Sequence, residues 1–250
     1  MSGHSKWQSI KHKKMATDAK RGKMFTKLIR EIMLGAKSGG GNPDTNPRLR
    51  MAIDKAKEFN MPNDNIQRAI KKGLGEEGGM QLEQVTYEGY AAGGVAVYVD
   101  VVTDNKNRSA SEIRSLFSKH NGNLGGSGSV AWIFERKGFI SVNKEKVKED
   151  ELFEIILEAG AEDMIAEDEV YEITTPPENF DNVKKALNEK DIPIVEASVT
   201  FLPKNTVKVE GKTAEQVLKL LDALEDHDDV QSAYANFDIP DEIVNADASE

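Results

Sequence analysis

The chain has 250 residues, of which 38% are hydrophobic and 30% are charged, so it can build packed cores and is not wholly disordered. This length suits two or three small domains. Cysteine is absent, which excludes disulfides, cysteine-ligated metals and cysteine nucleophiles and favours a reducing compartment.

The charge is distributed unevenly along the chain. The formal net charge is −10, which taken alone argues against nucleic acid as a partner. However, residues 1–72 carry 17 basic and 6 acidic side chains, a net charge of +11, and residues 73–250 carry a net charge of −21. This asymmetry predicts that the basic part binds a polyanion.

The sequence predicts a cytoplasmic protein. No segment has the roughly 18 uninterrupted apolar residues of a membrane span. The first 30 residues lack the apolar stretch of a secretory signal. They are basic and nearly free of acids, as in a mitochondrial transit peptide, but lysine outnumbers arginine and the segment continues into a strong helical pattern.

Three helices are predicted in the basic part. Residues 18–37 carry an apolar stripe at helical spacing, formed by Phe25, Leu28, Ile29, Ile32, Met33 and Ala36. A second helix has Asn46 as N-cap and Pro47 at its first position, and a third runs from about Asn63 to Gly73. Each helix has one apolar face to bury, so we expect a small bundle, preceded by an arm over residues 3–16.

Strands and helices alternate after the bundle. Residues 85–90 and 95–102 are predicted to pair as a hairpin, followed by a helix over 107–120 and a glycine-rich break over 122–128. The next elements are a strand (130–142), a helix (149–160), two strands (163–166 and 169–175), a helix (178–190) and a strand (197–202). This βαββαβ order is that of the ferredoxin-like motif.

The last elements are a strand (206–209), a helix (213–225), a strand (230–237) and an acidic tail. They are too few to fold alone, so we expect them to complete the unit begun by the hairpin. The predicted fold class is therefore α+β with three domains: a basic helical domain with its arm (1–76), a discontinuous α/β sandwich (77–128 and 205–250), and a ferredoxin-like sandwich inserted in it (129–204).

The basic domain is the predicted nucleic-acid interface, because its helices present cations with few acids nearby in sequence. The first helix is expected to carry Lys20, Lys23, Lys27 and Arg30 largely off its apolar stripe, facing solvent. The alternative to nucleic-acid binding is that the basic charges only form a solvated helical face. The candidate contact residues are Lys6, Lys11, His12, Lys13, Lys14, Lys20, Arg21, Lys23, Lys27, Arg30, Arg48, Arg50, Arg68, Lys71 and Lys72.

A short turn at residues 60–62 permits a helix-turn-helix, in which Asn65, Gln67 and Arg68 of the third helix could read base edges. Trp7 on the arm is a candidate platform for base stacking; alternatively it packs the arm onto the bundle.

Catalytic and metal-binding patterns are lacking. The glycine-rich residues 121–129 lead into a strand and lack the Lys-Ser/Thr of a phosphate loop, so a hinge is favoured. The four histidines show no ligand spacing, and the acidic run 222–229 lacks the pattern of a calcium loop and is interpreted as a solvated helix end. No G-x-S-x-G elbow is present. The sequence predicts no catalytic residue, no metal and no cofactor.

Several motifs resemble those of the YebC/PmpR family, whose mitochondrial relative is a translational activator of cytochrome c oxidase subunit one. They are GHSKW (3–7), IKHKK (10–14), DAKRGKMFTKLIREI (18–32), NPRLRMAIDKAK (46–57), MPNDNIQRAIKKG (61–73), YEGYAAGGVA (87–96) and TDNKNRSASEIRSLFSKHNGNLGGSGSVAWIF (103–134). The resemblance covers the whole chain and is densest in its first half.

The resemblance implies the same three domains, no enzymatic activity and no cofactor. Family members are described as DNA-binding transcription regulators, and some resemble translation factors acting on ribosomes at proline-containing stretches. The resemblance also implies that the nucleic-acid contacts include Lys11, Lys13, Lys14, Lys20, Arg21 and Lys23.

The primary hypothesis is a non-enzymatic, DNA-binding transcriptional regulator that uses the basic domain. An RNA-binding translation factor acting on ribosomal RNA is the first alternative, since lysine-rich contacts suit either nucleic acid. An acidic scaffold for protein partners is the second, and an enzyme in a cleft between the α/β domains has the least support. No membrane partner is expected, and the oligomeric state is not defined by the sequence.

Overall fold

The computed structural model describes residues 18–76, 78, 81–167 and 169–240, with the side chains of the first helix described from residue 22 onward. Residues 132–205 form one compact unit, and the residues before and after them form another. Each unit has its own sheet of four antiparallel strands. The exact boundaries of the three expected domains stay a prediction.

The basic part folds as three helices, α1 (Asp18–Gly39), α2 (Pro47–Glu58) and α3 (Asn63–Gly73). The predicted cap is present, since the Asn46 side chain accepts a hydrogen bond from the Leu49 amide and Pro47 begins α2. Both α2 and α3 pack on α1. Leu82 and Val102 belong to the same buried cluster, so the bundle packs directly on the sheet that follows.

Residues 83–131 and 206–238 form the α/β part of the same unit. In chain order its elements are β1 (Glu83–Tyr90), β2 (Ala96–Thr103), α4 (Lys106–Lys119), β3 (Asn123–Leu124), β8 (Val207–Lys208), α7 (Gly211–Glu225), β9 (Val230–Ala235) and β10 (Phe237–Asp238). The sheet order is β3-β1-β2-β9, and β8 pairs separately with β10. Side chains of β2, α4, α7 and β9 share one buried cluster. The end of the chain therefore completes the sheet that the hairpin begins, as expected.

The other unit contains β4 (Phe134–Asn143), α5 (Glu149–Glu158), β5 (Asp163–Ala166), β6 (Val170–Thr175), α6 (Phe180–Glu189) and β7 (Ile194–Pro203). Its sheet order β5-β6-β4-β7 is the ferredoxin-like arrangement, because each helix connects two strands that are separated by a third. The predicted α+β fold class, with a ferredoxin-like sandwich inserted in another α/β sandwich, is confirmed.

The glycine-rich break holds two differences from the prediction. Asn123 and Leu124 form the short strand β3 on the edge of the first sheet, where only a hinge was expected. The strand expected from residue 130 begins at Phe134, because residues 131–133 form a single 3₁₀ turn. Among the described residues, no helix is long and apolar enough to span a membrane.

Gly73 sets how closely α3 approaches α1. A Cβ placed on Gly73 would lie 2.4 Å from the Met33 carbonyl oxygen and 2.9 Å from its Cα, which is closer than atoms can pack. We expect Gly73→Ala to lower the free energy of unfolding by about 2 kcal/mol, measured by urea denaturation. Gly22→Ala is the matched control, because its Cβ meets nothing within 4 Å; an equal loss in both variants would contradict this role.

Candidate nucleic-acid interface

The predicted contact residues divide into three groups in the structure. Lys6, Lys11, His12, Lys13 and Lys14 lie outside the described residues, as does Trp7. Lys20 and Arg21 lie on the helical backbone of α1, but their side chains are outside the description. The other eight candidates are described, and they fall into residues that bind the protein's own acidic groups and residues that are exposed.

Three cations of α1 bind the protein itself. Lys23, Lys27 and Arg30 contact residues 225–229, which we call the acidic end of α7. Lys27 Nζ donates to the Glu225 carbonyl oxygen at 2.6 Å and lies 3.4 Å from the Glu225 carboxylate. Lys23 Nζ donates to the Asp226 carbonyl oxygen at 3.2 Å and lies 3.5 Å from its carboxylate.

Arg30 completes this set. Its guanidinium donates to the Asp228 carbonyl oxygen and lies 2.9 Å from Asp229 Oδ1. The three cations meet the last turn of α7 and the loop that follows, where carbonyl oxygens carry the negative end of the helix dipole. Carbonyls and carboxylates therefore neutralise this face of α1 together.

The expectation that the cations of α1 face solvent is wrong for Lys27, which is only 7% exposed. Its partner Glu225 lies 198 residues further along the chain. Few acidic residues lie near Lys27 in the sequence, so a count of neighbouring charges predicts an unpaired, exposed lysine and misses its distant partner.

Asp229 is the centre of a buried hydrogen-bond network and is only 2% exposed. Its Oδ2 accepts hydrogen bonds from Ser109 at 2.7 Å, Arg108 at 2.8 Å and Thr103 at 3.0 Å. Its Oδ1 faces Arg30. One carboxylate thus joins α1, the end of β2 and the first turn of α4.

The network keeps Asp229 ionised. Burial alone would raise the pKa of Asp229, but the hydrogen bonds from Arg108, Ser109 and Thr103 and the charge of Arg30 outweigh it and lower the pKa to about 2. The interpretation of residues 222–229 as a solvated helix end is therefore wrong at Asp229, because that carboxylate is buried and paired.

Glu112, His227 and Asp229 place three groups that can bind a cation close together, but these groups make hydrogen bonds within the protein. Ligand atoms of these residues lie within 4.8 Å of one another. However, His227 Nδ1 accepts the Asp229 amide at 3.1 Å and its Nε2 lies 2.9 Å from Glu112 Oε2. Because both ring nitrogens and both oxygens of Asp229 are engaged, the cluster is a structural network.

The cations of α2 differ in their surroundings. Arg48 Nε donates to Glu31 Oε1 at 2.9 Å, and its Nη2 donates to Gln84 at 3.1 Å. Arg48 therefore links α2 to α1 and β1. Arg50 is exposed and makes one long hydrogen bond of 3.5 Å to the Pro43 carbonyl oxygen.

The exposed face of α3 carries the remaining candidates. Ile66, Ala69 and Ile70 are buried against α1, whereas Gln67, Arg68, Lys71 and Lys72 on the opposite side are exposed. We call these last four residues the α3 face. Within the described part of the chain, no carboxylate lies within ion-pair distance of Arg68, Lys71 or Lys72.

The turn between α2 and α3 is short and well ordered by local bonds. Asn60 adopts a left-handed conformation with φ of 57°, which asparagine tolerates better than most residues. The Met61 amide donates to the Ala56 carbonyl oxygen, and the Met61 side chain is buried. The turn therefore fixes where α3 begins after α2.

The glycine-rich segment binds a carboxylate of this protein. The amides of Gly128, Val130 and Ala131 donate to the Glu88 carboxylate at 2.7, 2.8 and 2.7 Å. Burial raises the pKa of Glu88, but these three bonds outweigh it and lower the pKa overall. The glycines of this segment predict a hinge, whereas in the structure its backbone hydrogen-bonds to Glu88 of β1.

These features define a class of protein: a basic helical bundle packed on an α/β domain that carries a ferredoxin-like insertion. Residues 5–76 match the N-terminal domain of TACO1/YebC proteins, and residues 82–237 match their second and third domains. The chain belongs to the TACO1/YebC family. The resemblance identified from the sequence motifs is confirmed.

Relatives of known sequence match along nearly the whole chain. A "probable transcriptional regulatory protein" of Dictyoglomus turgidum is 60% identical over 98% of this chain and 99% of its own length. One from Thermotoga maritima with the same name is 58% identical over 96% of this chain and 95% of its own length. A crystal structure of a conserved hypothetical protein from Aquifex aeolicus superposes with a TM-score of 0.79 at 54% identity, covering 89% of this chain and 92% of that one.

Asp229 should make the stability of the protein pH-dependent. Its pKa is lower in the folded state than in the unfolded state, so its contribution is present above pH 4 and is lost as the pH falls toward 2. We expect Asp229→Asn to lower the free energy of unfolding by about 3 kcal/mol at pH 7, because Arg30 and Arg108 lose their shared carboxylate. Urea denaturation from pH 7 to pH 2 should show that the difference in free energy of unfolding between wild type and Asp229→Asn becomes smaller as the pH falls. Asp54→Asn, an exposed aspartate on α2, is the control; a difference that does not depend on pH would contradict the assignment.

Glu88→Gln should loosen the glycine-rich segment. The glutamine side chain would place an NH₂ donor where Glu88 has an acceptor oxygen facing backbone N–H groups. We expect this change to lower the free energy of unfolding by about 2 kcal/mol. Hydrogen exchange measured by NMR should show faster exchange at Gly128, Val130 and Ala131 in the variant. Wild-type protection should fall in the same way once the pH drops through the lowered pKa of Glu88. Glu83→Gln on the same strand should leave these amides protected; unchanged exchange in Glu88→Gln would contradict the role.

Proposed function

We propose that this protein is a non-enzymatic regulator of gene expression that binds duplex DNA through the α3 face, with the basic arm as a second contact. The observation that carries the proposal is the difference between α1 and α3. Cations of α1 are bound by the acidic end of α7, whereas Arg68, Lys71 and Lys72 are exposed and form no ion pair with a carboxylate among the described residues. Phosphates can therefore reach the α3 face without first displacing an internal acid.

The α3 face has the side chains that duplex binding requires. Lys71 and Lys72 are suited to phosphate contacts, which supply affinity that falls steeply with salt. Arg68 can donate two hydrogen bonds to guanine, and Gln67 can bind adenine, both in the major groove. An α-helix fits the major groove of B-form DNA, and α3 is held on α1 by its opposite, buried face.

The comparisons support a regulatory role in transcription. Relatives covering nearly the whole chain are named as transcriptional regulatory proteins. The Glu112, His227 and Asp229 cluster, which combines acid and imidazole groups, is engaged in structural hydrogen bonds, and this favours a non-enzymatic protein. A role in transcription in the cytoplasm agrees with the reducing compartment expected from the absence of cysteine.

Duplex DNA is favoured over ribosomal RNA on geometric grounds. The major groove of an A-form RNA helix is deep and narrow, and side chains on a helix cannot read it. A helical face with base-reading side chains next to lysines matches the wider groove of DNA. Structured RNA remains the competing ligand in the experiment.

The proposal is tested by reversing two charges on the α3 face. We expect Arg68→Glu with Lys71→Glu to weaken binding to a duplex of about 20 base pairs by at least tenfold at about 0.1 M salt. The log–log salt slope should become shallower by about 0.9, because the phosphate contact of Lys71 is lost, whereas Arg68 contacts a base. Fluorescence anisotropy across a salt series measures both quantities.

The matched control reverses two exposed lysines of the α/β domain, Lys208→Glu with Lys219→Glu, and should bind as wild type does. Lys13→Glu with Lys20→Glu tests the arm together with the start of α1 in the same assay. Equal binding by the α3 variant and the control would reject the α3 face. Preference for a structured RNA hairpin over the duplex in competition would replace DNA with RNA as the ligand.

A further inference from the structure

The basic stripe of α1 and the acidic end of α7 form a graded series of ion pairs. Lys23, Lys27 and Arg30 are spaced by four and three residues, so they lie on one face of α1. The side chains of Lys27 and Glu225 are 8% and 11% exposed, and those of Arg30 and Asp229 are 16% and 3% exposed. The side chains of Lys23 and Asp226, in contrast, are 43% and 61% exposed.

The two ends of this series have different roles. The inner pairs, at Lys27 and Arg30, are buried with their partners and belong to the contact that holds the bundle on the α/β domain. The outer pair, Lys23 and Asp226, lies in solvent, where ion pairs are weak and exchange readily with other ligands. Only the outer pair can open without unpacking the bundle.

Lys23 is held by the same kind of atoms that a nucleic acid would offer. Its ammonium contacts one carbonyl oxygen at 3.2 Å and one carboxylate oxygen at 3.5 Å. A phosphate group supplies charged oxygens of comparable geometry.

We propose that Asp226 is an autoinhibitory competitor for nucleic-acid phosphate. Its carboxylate occupies Lys23, at the point where the basic stripe of α1 emerges from the buried contact, and prevents one phosphate contact there. This inference rests on the proposed function, because it concerns how tightly the basic domain binds nucleic acid. Asp226 thereby lowers affinity for any phosphate backbone and leaves the α3 face as the main contact.

Removing the carboxylate tests the inference in the full-length chain. With the same duplex as above, Asp226→Asn should bind about five- to tenfold tighter at about 0.1 M salt, because Lys23 gains a phosphate. The log–log salt slope should steepen by about 0.9, the value for one added phosphate contact. Glu215→Gln is the matched control, since it removes one negative charge about 16 Å away along α7 and should bind as wild type does.

A double-mutant cycle separates local competition from a change in overall charge. Lys23→Gln alone should alter binding little, since Lys23 is already occupied, and Lys23→Gln with Asp226→Asn should cancel the gain in affinity and slope. Thermal unfolding should show similar midpoints for all variants, because the Lys23–Asp226 pair is exposed.

The outcomes distinguish this inference from the proposed function. If wild type binds the duplex and Asp226→Asn binds with the same affinity and slope, the competitor role is rejected and the proposed function stands. A gain that survives in the double variant would also reject it. If wild type and every variant leave the duplex unbound, the proposed function is rejected together with the inference.

Discussion

The arrangement of the first compact unit depends on the buried carboxylate of Asp229. A buried charge is costly unless hydrogen bonds and an opposite charge compensate it, so Asp229 needs all of its partners at once. Those partners come from α1 and from the consecutive elements β2 and α4, all at least 120 residues before Asp229 in the chain. Satisfying one carboxylate therefore fixes the bundle, the sheet and α4 relative to one another, and the contact between α1 and the acidic end of α7 follows from it.

The fold could be predicted well because its determinants are local. The apolar period of α1, the Asn46 cap and the strand and helix order of the ferredoxin-like unit are all written in short stretches of sequence. The glycine-rich segment could not, because its structure depends on Glu88, a residue of β1 some forty positions earlier. Glycine composition alone does not distinguish a flexible linker from a segment whose backbone amides bind a carboxylate.

The candidate site was predictable in composition but not in geometry. Charge counts over residues 1–72 show that the excess of basic side chains lies in the first part of the chain. They could not show that Lys27 and Arg30 bind acids about 200 residues later, since no local pattern encodes that pairing. The apolar period did predict which side of α3 is buried, and so which cations are exposed.

The opposite net charges of the two parts of the chain therefore have two physical consequences. Where α1 meets the acidic end of α7, opposite charges attract within the protein and help to hold the bundle on the α/β domain. On the α3 face, within the described residues, no carboxylate forms an ion pair with the three cations, so their charges are exposed to solvent. In the proposed function, the net charge of −21 on residues 73–250 disfavours phosphate elsewhere, so a polyanion is expected at the basic domain.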